Sequence, residues 1–152
     1  MKPRLAIAVA ALWWGSLSAI GFLAVPLLFA HLPQMALAGG MAARLFSAQT
    51  WVSCVCALLL LLFSRPDAGA AQPPVGQSQL PLIIGAMLLA LLSEFAIAPR
   101  ILTRENLRLW HTLGSVVYGL QWLCAAVVFW KLTAPRPDLA PGADRGSGRI
   151  QG

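Results

Sequence analysis

Polar and apolar positions do not alternate evenly along this chain. Four long apolar runs, near 5–30, 41–63, 80–98 and 108–132, are separated by short polar stretches. Each run is long enough for a helix to cross a hydrocarbon core, which needs about 20 residues. None alternates at period two, and a bilayer interior offers no water to exposed backbone groups, so helices are favoured over a barrel. The pattern predicts an all-α integral membrane protein: a four-helix transmembrane bundle over 1–132.

The stretches between the runs give the connections. "AHLPQM" is short enough to make the first two helices antiparallel neighbours. The second helix is expected to start early, near Met35, with a turn or two above the membrane that brings Arg44 to the interface. "SRPDAGAAQPPVGQSQ", 64–79, reads as a flexible cytoplasmic loop. The segment 133–152 has the same composition and reads as a disordered cytoplasmic tail. No internal repeat is evident in the sequence.

Composition agrees with the pattern. The 152 residues are 59% hydrophobic and 11% charged, with a mean hydropathy of +0.74, far from a soluble domain. The formal charge of +6 does not point to nucleic acid, because the basic residues cluster at run ends and in the tail. Lys2, Arg4, Arg65, Lys131, Arg136, Arg145 and Arg149 fall on one side. Arg44, Arg100, Arg104 and Arg108 fall on the other. The positive-inside rule then puts both termini in the cytoplasm, with the bacterial inner membrane as the expected location. The first apolar run extends well past the roughly 7–15 residues of a signal peptide's core and reads as an uncleaved helix. Cys54, Cys56 and Cys124 all lie inside runs and make no disulfide framework. Cys54 and Cys56, two apart on a helix, diverge by about 200° and cannot share a metal.

The fourth run carries the most unusual chemistry. Trp110 and Trp130 are spaced, at about 1.5 Å per residue, by about 30 Å, so they suit belts at the two surfaces. Just inside the outer belt, His111, Ser115, Tyr118 and Trp122 follow one helical stripe, with Gly114 and Gln121 at its edge. Leu109, Val116, Leu120, Leu123 and Val127 cover the other faces, so the stripe is expected to face the neighbouring helices. His31, Arg44 and Glu94 reach the same depth from the other three helices. The candidate pocket is therefore His111, Ser115, Tyr118, Glu94, Arg44 and His31, in the outer half of the bundle. A carboxylate at the depth of Glu94 costs several kcal/mol unless paired, and Arg44, Arg100 or a charged His111 would serve. Pro26 should kink the first helix and free the carbonyl of Phe22.

"WWGSLSAIGFLAVPLLF", "AGGMAARLF", "EFAIAPRI" and "LWHTLGSVVYGL", in that order across four runs, resemble the domain-of-unknown-function 4149 family, also described as transmembrane-protein-205-like. The likeness spans about 8–130. It implies a small four-span membrane protein and carries no activity with it.

The chemistry leaves three readings. One is a membrane protein whose outer polar residues only join helices or meet a partner. Another is a haem- or metal-binding redox bundle, with His111 and His31 or Glu94 as ligands. The third is a component of small-solute or ion transport acting as a homo-oligomer or with a membrane partner, since one pocket confined to the outer half gives a lone chain no path. No P-loop, catalytic triad, H-E-x-x-H or nucleotide fingerprint is present, which disfavours a soluble-type enzyme.

Overall fold

A computed structural model describes residues 2–65, 73, 75–103 and 106–134. Four helices account for nearly all of them: α1 (Lys2–His31), α2 (Met35–Phe63), α3 (Gln77–Ile101) and α4 (Arg108–Thr133). Each is long and apolar enough to span a bilayer. α2 does start at Met35. Residues 66–72 and 74 of the loop expected at 64–79, and the tail beyond Ala134, lie outside the described residues.

The helices form a ring in which each packs on two neighbours: α1 on α2, α2 on α3, α3 on α4, and α4 back on α1. In a bilayer, apolar contact alone gives no preference for protein over lipid, so small residues and close packing must hold such a ring together. The buried line of α1 is Ala6, Val9, Ala10, Trp13 and Leu17, met by Cys56, Ala57 and Leu60 of α2, Ile83 and Ala86 of α3, and Ala125 and Val128 of α4. Alanines let the backbones approach, and Trp13 fills the space they leave, fully enclosed. Beside it, Trp14 stacks on Phe129 with ring centroids 5.5 Å apart. Leu109, Val116, Leu120, Leu123 and Val127 are exposed, as a lipid-facing surface of α4 requires.

Two helices are interrupted. In α1 the segment Ile20–Ala24 is a π-helical turn, and the Val25 N–H reaches back five residues to the Ile20 carbonyl. In α3 the segment Ser93–Ile97 is another, with the Ala98 N–H on the Ser93 carbonyl. A proline follows each at the same distance, Pro26 and Pro99. Proline has no N–H to donate and its ring crowds the preceding turn; widening that turn to π geometry relieves the crowding. The kink expected at Pro26 thus takes the form of a widened turn before the proline. At the start of α4, Asn106 adopts a left-handed conformation, φ 42°, one of the few non-glycine residues that does so readily.

Candidate functional site

The most extensive polar network lies in the middle of the bundle, not at the end that carries the turn between α1 and α2. The Gln49 amide of α2 donates to the Ser16 hydroxyl of α1 at 3.0 Å and to Ser53 one turn further along α2 at 3.4 Å. Gln121 of α4 donates to the same Ser53 hydroxyl at 2.9 Å. Gln49, Ser53 and Gln121 are all buried, at 2%, 0% and 3% exposure. One cluster therefore ties three helices together, with Ser53 as the shared acceptor. The Gln49 amide oxygen, enclosed as it is, has no partner within the protein.

A second layer lies towards the turn between α1 and α2, at the depth of the two π-turns. Glu94 sits inside the π-turn of α3, and the Ser47 hydroxyl of α2 donates to its Oε1 in a very short hydrogen bond. Phe46, next to Ser47, meets Tyr118 of α4 edge to face, with centroids 5.2 Å apart. The Tyr118 hydroxyl donates to the Leu17 carbonyl of α1 at 2.7 Å. Its ring lies against Gly21, inside the α1 π-turn, where a Cβ would come within 2.6 Å of the ring. Close by, the Trp122 indole donates to the Ser18 hydroxyl at 2.8 Å. Each π-turn is thus fastened to a neighbouring helix, α1 by a phenol from α4 and α3 by a hydroxyl from α2.

The six residues expected to share a pocket are distributed differently. Tyr118 and Glu94 occupy this layer, linked through the adjacent Phe46 and Ser47. His31 is exposed and donates from Nδ1 to the carbonyl of Leu27 in its own helix, 3.1 Å away. Arg44 is exposed. His111 and Ser115 are exposed too, and Ser115 bonds back to the His111 carbonyl at 2.9 Å. No hydrogen bond or ion pair joins the side chains of any two of the six. Arg100, the other cation considered for Glu94, instead lies over the Trp110 ring at 4.4 Å.

Helix rotation explains the difference. The buried positions of α4 are Val117, Gln121, Ala125 and Val128. At 100° per residue, the His111–Ser115–Tyr118–Trp122 stripe lies roughly a quarter-turn from that line. Tyr118 and Trp122 have side chains long enough to reach back to α1 from the flank. His111 and Ser115, nearer the start of α4, do not. In the sequence Gln121 has only an edge position, Ser16 reads as one of the small packing residues of the first helix, and Ser47 and Ser53 do not stand out. The signal was the run of Ser47, Gln49, Thr50 and Ser53, polar at helical spacing within an otherwise apolar helix.

Among the described residues, no three His, Cys, Asp or Glu side chains are placed to hold one metal ion. His31 and His111 belong to different helices and both face outward, so the haem and metal readings gain no ligand set here.

The model of the family described as "Domain of unknown function (DUF4149)" matches residues 8–109. The chain belongs to the DUF4149 family. The matched region holds α1 from residue 8 onward, all of α2 and α3 and both π-turns, Gly21 and Glu94 included, and ends before His111 and Tyr118. No curated protein and no solved structure matches the chain. Membership of DUF4149 therefore agrees with the multi-pass architecture and leaves the activity to be argued from the polar layers.

Proposed function

We propose that this DUF4149 protein is a component of a bacterial cytoplasmic membrane, with both termini on the cytoplasmic side, that binds a small solute or ion in its outer half. Binding suits the site better than covalent chemistry does. The three cysteines are free, and Ser47, whose hydroxyl donates to the Glu94 carboxyl, meets it directly, with no histidine hydrogen-bonded between them. The observation that carries this reading is Glu94, a carboxyl within a membrane helix, held by the Ser47 hydroxyl of the next helix. Ionisable groups at that depth are costly and tend to mark the path of a solute, ion or proton.

Below the layer of Glu94 the interior closes on Trp13, Leu60, Ala86 and Val128. Passage through the membrane thus calls for a second copy or a membrane partner beside this chain, with the bilayer as the first partner of its exposed faces.

A hydrophobic carbodiimide, which enters bilayers and modifies carboxyls there, tests the reading. Treated membranes should yield protein labelled at Glu94, identified by peptide mass, and Glu94→Gln should remove that label. If Glu94 stays unmodified while the reagent labels other membrane carboxyls, the carboxyl is a sealed structural group and the reading fails.

A further inference from the structure

An open groove of about 530 Å3 runs between the last turns of α1 and the first half of α2. Ala24, Leu27, Leu28, His31 and Leu32 form one wall, and Leu45 of α2 forms the other. Ala24 is the last residue of the α1 π-turn, and the span from there to His31 gives the groove a length of about 10 Å. Apart from His31, every wall residue is apolar. The His31 ring is anchored by its own helix, since its Nδ1 donates to the Leu27 carbonyl at 3.1 Å.

Next to Leu45 stands a cation without a partner. Arg44 is exposed, and it makes no hydrogen bond, ion pair or ring contact with any described residue. The packed line of α2 runs through Ala38, Ala42, Gln49 and Ser53. At 100° per residue, Leu45 lies at the edge of that line and Arg44 a further 100° round, on the face turned to lipid. The depth of Arg44 makes its isolation costly. α2 has 29 residues, about 43 Å of helix against about 30 Å of hydrocarbon. With the excess shared between its two ends, the backbone of Arg44, about 14 Å along from Met35, lies about 7 Å inside the apolar region. A guanidinium there is stable only if its stem carries it to an anion in the headgroup layer.

We infer that the α1–α2 groove binds one anionic phospholipid from the leaflet on the side of the α1–α2 turn, with an acyl chain along Leu27, Leu28 and Leu45 and the phosphate on Arg44. Both parts of such a ligand are matched. The apolar walls take the chain, and the planar guanidinium fork accepts a phosphate through two parallel hydrogen bonds. Basic sites between membrane helices hold acidic headgroups in this way. A zwitterionic lipid brings the same chain and phosphate, but its ammonium weakens the attraction to Arg44. A second copy of this chain is a poorer occupant. It could fill the groove with apolar side chains, but the only side-chain carboxyl among the described residues is Glu94, which Ser47 already meets. The other exposed arginines near this end, Arg100 and Arg108, belong to α3 and α4, and Arg100 lies over Trp110. The lipid site is separate from Glu94 and does not depend on the role proposed for that residue.

Native mass spectrometry of the protein in mild detergent, given equal amounts of phosphatidylglycerol and phosphatidylcholine with the same acyl chains, tests the site. One phosphatidylglycerol per chain should be retained in preference to phosphatidylcholine. Arg44→Gln should cut that preference by roughly fivefold or more, and Arg108→Gln should leave it. In the parent, phosphatidylglycerol with a photoactivatable group on an acyl chain should crosslink within 24–32 or at Leu45. Glycerol phosphate, which has the anion and no chains, should not displace the lipid. Equal retention of the two lipids, a preference that survives Arg44→Gln or falls as far with Arg108→Gln, crosslinks confined to other segments, or displacement by glycerol phosphate would each overturn the inference. So would a dimer that excludes lipid and dissociates on Arg44→Gln, which would make the groove an interface between copies.

Discussion

Replacing Gly21 with alanine should destabilise the protein in detergent by about 1–3 kcal/mol, the range for inserting a methyl group into filled space. The new Cβ would lie 2.6 Å from Cε1 of Tyr118. The ring cannot simply withdraw, because its edge contact with Phe46 and its hydroxyl bond to Leu17 hold it in place. Helix propensity works the other way, since alanine is favoured over glycine in a helix by up to about 1 kcal/mol, and the clash has to exceed that gain. Gly15 provides the control: nothing lies within 4 Å of a Cβ there, so Gly15→Ala should be neutral or slightly stabilising. In a Tyr118→Ala background the cost of Gly21→Ala should nearly vanish. If thermal unfolding shows Gly21→Ala and Gly15→Ala to be equivalent in the parent, the first π-turn does not receive Tyr118 as described.

The second large effect is expected at Gln49, where the outcome depends on which of two terms is larger. Gln49→Ala removes the bonds to Ser16 and Ser53 and opens a cavity in a closed part of the bundle. By comparison with other large-to-alanine changes in packed cores it should cost about 2–4 kcal/mol. Gln49→Leu keeps the volume. It loses the same two bonds, each worth about 0.6 kcal/mol between membrane helices, but also removes an enclosed amide oxygen that has no partner, itself a burden of about 1–3 kcal/mol. Leucine should therefore be tolerated to within about 1 kcal/mol of the parent, or be slightly stabilising. Equal, large losses for both variants in denaturant unfolding would show that the hydrogen bonds outweigh the packing.

The bilayer explains which features were legible in the sequence. Continuous apolar runs of sufficient length are a direct consequence of the solvent, so the four helices and their antiparallel order could be read from hydropathy alone. Rotation about each helix axis could not. α4 carries few polar residues, and the most conspicuous stripe, from His111 to Trp122, lies on a flank because the packed line through Val117, Gln121 and Ala125 looks almost uniformly apolar. Glu94 was identifiable by its depth, but its partner was not. A carboxyl suggests an arginine, while the residue that meets it is Ser47, whose position depends on the register of α2 against α3. A likeness between α1 and α3 was hidden for a similar reason: one spacing sets Phe22 against Phe95 and Pro26 against Pro99, but at the same spacing Trp13 and Ala86 share only burial.

The exposed apolar faces and the buried polar layers fit together only if the four helices cross a membrane, and the proposed orientation puts both termini inside. In a chain with Cys54, Cys56 and Cys124 replaced by alanine, single cysteines at Gln34, between α1 and α2, and at Gln77, before α3, lie at opposite ends of the bundle and are both exposed. With an impermeant thiol reagent on intact cells, Gln34→Cys should be labelled at once and Gln77→Cys only after the membrane is opened. Labelling of Gln77→Cys in intact cells with Gln34→Cys protected would reverse the orientation, and labelling of both would contradict a four-span bundle.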